Sequence, residues 1–158
     1  MMDGERRDQI IKHVVDHIRT AGPDVQVQTT PLGIFLFIGE DRMFPFATIV
    51  MSDDAYDTAS RLDRPGVFRL NVGVRPATFR SLVPTAASEP NTARPDVDYT
   101  VFDRLLPHPV YGNLFWLCVL NPGAETLQRL TPVLREAYDL QRERNARRQR
   151  DGSARRDA

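Results

Sequence analysis

Short apolar runs fill the middle of this chain, and a helical apolar pattern stands at each end. The runs at 34–38, 46–51, 67–74 and 114–120 are rich in β-branched and aromatic residues, and residues 25–29 alternate between apolar and polar side chains. Turn residues separate the runs, which is typical of strands in an antiparallel sheet. This order predicts an α+β fold in which an N-terminal and a C-terminal helix pack on one face of about five strands.

The two terminal helices follow from apolar residues spaced three and four apart. Residues 5–21 form the first pattern, which Gly22-Pro23 ends. The second starts at Ala124 and docks on the sheet as far as about Arg142, with a kink expected at Pro132. A short helix at 76–83, a helical turn within 98–106 and a surface loop at 84–97 complete the prediction.

Charge divides the chain into a domain at 1–142 and an arginine-rich tail at 143–158, expected to be frayed or disordered. The formal net charge is zero, but residues 142–158 carry seven arginines and three acidic residues, a local charge of +4. This tail is the one place where the sequence offers nucleic acid a basic surface. A solvated helix end with basic residues at its negative pole explains the same pattern.

Cys118 is the only cysteine, so an internal disulfide and a multi-cysteine zinc site are both excluded. Its apolar neighbours favour a core thiol over a reactive one. No apolar run is long enough for a membrane span, and no signal core follows the N-terminus. We therefore expect a small soluble cytoplasmic protein that binds no membrane.

The familiar catalytic and cofactor motifs are missing. No glycine-rich phosphate loop, HExxH motif or GxSxG motif occurs. His13 and His17 stand four apart on the first helix, but no third ligand is fixed beside them, so neither a metal nor another cofactor is expected.

Two segments, 61–71 and 103–116, combine charged residues with apolar anchors beside predicted strand ends. If their loops meet, they form one polar cleft. The ligand-binding candidates are Arg61, Asp63, Arg64, Arg69, Asn71 and Trp116. The catalytic candidates are His108, as the acid or base, with Asp103 or Tyr111. The same residues would equally form turns and ion pairs that hold the loops, and the sequence leaves both readings open.

The chain resembles an uncharacterised bacterial family of unknown function. The resemblance is carried by FATIV (46–50), LDRPGVFRLNVGV (62–74), DRLLPHPVY (103–111) and VLNPG (119–123), and it extends to about residue 140. The acidic stretch at 53–57 is a departure from that family. The resemblance implies no activity.

More distantly, the order of elements resembles the MmcQ/YjbR-like group, whose fold is similar to bacterial frataxin. Motif support lies in residues 107–138, in HP-x-Y, the tryptophan and NPG. The resemblance implies a two-layer sandwich and allows a DNA-binding role. The first helix mixes acidic and basic residues, so the acidic iron-binding surface of frataxins is not reproduced.

The leading hypothesis is a small binding or interaction domain for an unknown small molecule or protein. A small enzyme using His108 and a nucleic-acid-binding protein using Arg142–Arg156 are the alternatives. A homodimer formed through edge strands is compatible with so small a sheet.

Overall fold

The computed structural model describes residues 4–83 and 94–157. The helices are α1 (Gly4–Arg19), α2 (Pro76–Leu82), α3 (Ala124–Arg129) and α4 (Thr131–Asp157). The strands are β1 (Val25–Thr30), β2 (Gly33–Ile38), β3 (Ala47–Val50), β4 (Arg69–Gly73), β5 (Leu106–Pro107) and β6 (Trp116–Leu120). A 3₁₀ turn at Gly112–Leu114 precedes β6.

Within the described ranges, the six strands form one sheet in the order β1-β2-β3-β4-β6-β5, and every neighbouring pair is antiparallel. The α+β class is therefore confirmed, with one strand more than expected. The additional strand, β5, has two residues and contains a proline, so no alternating pattern marks it in the sequence. None of the described helices is long and apolar enough to cross a membrane.

One face of the sheet carries the hydrophobic core. Along β4 and its flanks, the alternate residues Phe68, Leu70, Val72 and Val74 all belong to this core. The helices α1, α3 and α4 cover it with apolar side chains. Those side chains are Ile11, Val14, Ile18, Leu127, Val133, Leu134, Ala137 and Tyr138, and Leu130 joins them from between α3 and α4.

The second face of the sheet is covered by loops. The connection between β3 and β4 packs Leu62 and Val67 against Val50 and Leu120. Strand register places Phe35, Thr48, Asn71 and Cys118 in one row across this face. The polar side chains of this row, Thr48 and Asn71, line the site described below.

Two local expectations were wrong, and a third was only partly within the described residues. Residues 98–106 contain turns and an isolated bridge at Phe102 but no helix. The C-terminal helix is not kinked at Pro132 but interrupted: α3 ends at Arg129 and α4 begins at Thr131, with Pro132 in the first turn where its missing N–H costs nothing. Of the predicted loop at 84–97, residues 84–93 lie outside the described residues, and 94–97 have neither helix nor strand.

The segment assigned to a frayed or disordered tail is helical as far as Asp157. Its first part packs against the domain. Asn145 is buried and accepts a hydrogen bond from Gln141. Arg148 forms an ion pair with Asp41 and lies over the ring of Phe44. These contacts explain why the helix continues past the end of the apolar stripe.

Candidate functional site

A cavity of about 590 Å³ opens on the second face of the sheet, between the β3–β4 connection and the segment around β5. Its polar lining residues are Thr48, Ser52, Asp53, Asp54, Asp57, Arg69, Asn71, His108 and Tyr111. Its apolar lining residues are Leu32, Phe35, Phe44, Pro45, Val50, Leu114 and Trp116. The volume is that of a small-molecule site, for which roughly 300–1,000 Å³ is usual.

Arg69 anchors the floor of the cavity and is fully buried, with 0% of its surface exposed. Its guanidinium is held by Asp57 in a two-point contact, Nη1 to Oδ1 at 3.0 Å and Nη2 to Oδ2 at 2.5 Å. Nη1 also donates to Ser60 Oγ at 2.9 Å, and Nε donates to Asn71 Oδ1 at 2.8 Å. Asn71 in turn donates to Thr48 Oγ1 at 3.0 Å. This network compensates a charge that would otherwise be very costly to bury.

His108 stands beside this network, and both of its ring nitrogens face donors. The backbone N–H groups of Val110 and Tyr111 donate to Nδ1 at 3.1 and 3.0 Å, while Nη2 of Arg69 lies 3.1 Å from Nε2. A neutral imidazole has one acceptor nitrogen. The two donors at Nδ1 fix the lone pair there, so we assign the ring proton to Nε2. Nε2 lies 3.9 Å from Asp57 Oδ2.

The charge state of His108 follows from the same surroundings. Burial, and then the nearby charge of Arg69, hold the pKa of His108 well below its usual 6.5. Protonation would add an N–H at Nδ1, directed at the two backbone N–H groups there. The imidazole is therefore neutral at pH 7 and closes the turn that follows it.

Trp116 and Cys118 lie on the same face of β6 but differ in access. Trp116 lines the cavity, and its indole packs so closely on Gly73 that a Cβ there would lie 2.9 Å from the ring. Cys118 is completely buried and lies 3.6 Å from the Pro107 carbonyl oxygen. Burial raises the pKa of its thiol to about 12, so it is an inert core group.

Arg61, Asp63 and Arg64 do not line the cavity. Arg64 donates to the carbonyl oxygens of Arg61, Ser60 and Thr100, which ties two loops together. Asp63 accepts a hydrogen bond from the backbone N–H of Asp53. Arg61 is exposed and has a positive φ of 51°, which marks a turn.

Asp103 also lies outside the cavity lining. It accepts a hydrogen bond from the Gly123 N–H at 2.7 Å. Asn121 has a similar role, since its side chain bonds the backbone of Phe68 and Gly66. The NPG segment and part of the DRPG segment thus hold neighbouring loops together. The candidates that do meet at the cavity are Arg69, Asn71, His108, Tyr111 and Trp116.

Asp57, Thr48 and Phe35 also belong to the site but were not predicted from the sequence. A signal for Asp57 existed, because an arginine on a strand with buried neighbours needs a carboxylate and an acidic stretch lies twelve residues upstream. Thr48 and Phe35 required the strand register, which places them beside Asn71.

No group of three or more metal-binding side chains occurs in the part of the chain that the structure describes. Of the helical pair His13 and His17, His17 places Nε2 3.0 Å from Thr131 Oγ1, so its ring joins α1 to α4.

Together, the fold and the site define a two-layer α+β domain with a cavity of small-molecule size on the sheet face opposite its helices. The chain belongs to DUF6194, a family of unknown function whose model matches residues 7–150. The expected membership of an uncharacterised family is thereby confirmed. Comparison with curated proteins and with solved structures found no match.

Proposed function

We propose that this chain is a binding domain that holds a small molecule in the cavity, without performing chemistry on it. The observation that carries the proposal is the cavity itself, about 590 Å³ over a floor of preorganised polar groups. Its apolar and aromatic walls would bury the body of a ligand, while a few polar groups would fix its orientation.

The mouth of the cavity supports the proposal. Leu32 and Leu114 line the cavity and are 73% and 57% exposed, and Phe44 is also exposed. Apolar side chains clustered at an opening are costly to leave in water, and such patches commonly mark binding sites. A ligand seated here would cover part of this surface.

The enzyme alternative relies on His108, which lies in the cavity wall. Two features oppose it. The lone pair at Nδ1 already accepts two backbone N–H groups, and the lowered pKa makes the imidazole a poor proton acceptor at neutral pH. Asp103, one of the two expected partners, lies outside the cavity lining. A binding role therefore accounts better for these residues than acid–base catalysis.

The nucleic-acid alternative rests on α4. Arg142, Arg144, Arg147 and Arg150 are exposed along this helix. They would favour phosphate contacts whose affinity falls steeply with salt. Arg142 also lies 3.4 Å from Asp139 in an ordinary surface ion pair, so we rank this function below the cavity.

We also propose that the fold is a YjbR-like or frataxin-like sandwich and that the protein is cytoplasmic. The helices packed on one face of the antiparallel sheet support the sandwich. A single buried thiol, with no disulfide to form, supports a reducing compartment.

The proposal is tested by screening small molecules against the full chain. Trp116 is the only tryptophan and lines the cavity, so its fluorescence reports occupancy directly. Thermal shift gives a second readout, since a ligand at 100 times its dissociation constant stabilises by about 2.7 kcal/mol. We expect compounds that raise the melting temperature also to change the Trp116 emission.

Two matched variants locate the binding. Ser52→Phe places a ring at the cavity lining, and Ser81→Phe makes the same change at an exposed serine of α2 outside that lining. We expect Ser52→Phe to abolish binding and Ser81→Phe to preserve it. Hits that survive Ser52→Phe, or a broad panel without any hit, would refute the proposal.

A further inference from the structure

The net charge of the cavity lining indicates which class of ligand the cavity favours. The ionised lining residues are Asp53, Asp54 and Asp57 against Arg69, because His108 is neutral. Three carboxylates and one guanidinium leave the lining with a net charge of −2. An anionic ligand would bring a further negative charge into this space.

Arg69 is not available to an anionic ligand. Its side chain is fully buried, and its donors are directed to Asp57, Ser60 and Asn71. A carboxylate or phosphate would have to displace Asp57, which already matches the guanidinium at two points. The guanidinium therefore supports the floor and does not act as an anion clamp.

Asp53 and Asp54 retain capacity for a cation. Asp53 uses Oδ1 to accept the Leu62 N–H at 2.8 Å, and Asp54 uses Oδ1 for the Tyr56 N–H at 2.8 Å. Neither carboxylate forms an ion pair with any residue in 4–83 or 94–157. The second oxygen of each accepts no hydrogen bond from those residues.

Beside these charged residues, the cavity lining contains four aromatic rings, those of Phe35, Phe44, Tyr111 and Trp116. Ring faces attract organic cations as well as apolar groups. Phe44 already illustrates this at the edge of the cavity, because the guanidinium of Arg148 lies 5.3 Å from its ring centroid. Arg148 is itself paired with Asp41.

We infer that the cavity takes an organic cation, a protonated or quaternary amine attached to an apolar body. This inference rests on the proposed binding function. The ammonium group lies towards Asp53 and Asp54, and the apolar body lies against Phe35, Leu114 and Trp116.

Three probes with one phenylpropyl body test the inference: 3-phenylpropylamine, 3-phenylpropanol and 3-phenylpropanoate. Their affinities for the full chain are measured at pH 7 by Trp116 fluorescence and by calorimetry. We expect the amine to bind about tenfold more tightly than the alcohol, with the carboxylate weakest. Equal affinities, or a tighter alcohol or carboxylate, would overturn the inference.

The matched variant is Asp53→Asn with Asp54→Asn, because an asparagine oxygen can still accept the backbone N–H groups that shape the loop. We expect the amine to lose most of its tenfold advantage while the alcohol binds as before. Asp54→Asn alone, at an exposed position, is expected to lower amine affinity about threefold. An unchanged preference in both variants would contradict the inference.

The outcomes separate this inference from the binding function. If uncharged or anionic compounds bind, are blocked by Ser52→Phe and outcompete the amine, the binding function stands and the cation inference fails. If the amine binds equally to Ser52→Phe, it lies outside the cavity and the inference also fails. If no compound of any charge binds, both proposals fail.

Discussion

At the scale of single residues, the site shows why a buried charge has to be read together with its partners. Arg69 and Asn71 lie two residues apart on β4 and therefore share one face of the strand, as alternation requires. The carboxylate that neutralises Arg69 could not be assigned, because Asp57 reaches it through a loop with no periodic pattern. The sequence singled out Arg69 as a candidate but did not show which acidic residue neutralises it.

His108 is a second residue whose role could not be predicted without its contacts in the folded chain. It stands between Pro107 and Pro109, and such a rigid segment suits either catalysis or a turn. Only the positions of the Val110 and Tyr111 N–H groups reveal that its Nδ1 lone pair is used within the turn.

The lowered pKa of His108 predicts a dependence of stability on pH. Below pH 6.5 the unfolded chain binds a proton at this residue and the folded chain does not. Its contribution to stability is therefore fully present above pH 6.5 and is lost progressively as the pH falls from 6.5 towards the lower pKa of the folded state. Between pH 7.5 and 5.5 we expect this residue to cost the wild-type chain about 1 kcal/mol of unfolding free energy.

The control for this prediction is His108→Asn, whose side-chain oxygen can accept the two backbone N–H groups but takes up no proton. Urea unfolding of both proteins across this pH range gives the difference in slope, so a uniform loss of stability in the variant does not matter. Parallel pH profiles would contradict the assignment of a neutral, buried imidazole.

At the scale of elements, periodic patterns predicted the helices and strands that form from local sequence. Where contacts between distant residues determine the end of an element, the pattern did not predict it. The helix predicted at 5–21 and the strand at 34–38 appear as α1 and β2 with small shifts at their ends. The end of α4 could not be placed in this way. Its apolar stripe stops near Arg142, while the Arg148–Asp41 pair depends on the distant β2–β3 connection.

Two truncations test the role of that helical segment. Removing 143–158 deletes Asn145 and Arg148, and we expect it to lower the unfolding free energy by about 2 kcal/mol. Removing only 151–158 leaves both contacts, and we expect a change within about 0.5 kcal/mol. Urea unfolding measures both values. Equal stability of the two truncated chains would show that 143–150 contributes nothing to the fold.

At the scale of the whole molecule, one face of the sheet forms the hydrophobic core and the other carries the candidate site. The helices bury one face into an apolar core, so stability is supplied there. The other face is left to loops, which hold polar groups around a cavity. This division allows buried charges at the site without interrupting the main core. Binary pattern along the strands predicted the division, but the shape of the cavity depends on how the loops close.

The same organisation predicts where the sheet opens last. β4 is paired on both sides, by β3 and β6, and Arg69 to Val72 are buried on both faces. β1 is paired only with β2 and has exposed positions. We expect hydrogen-bonded β4 amides to exchange only through global unfolding, and those of β1 to exchange at least about tenfold faster. Native-state hydrogen exchange, calibrated against urea unfolding of the same protein, measures both. If β1 is protected as strongly as β4, the sheet opens in a single step and the layered arrangement of stability is wrong.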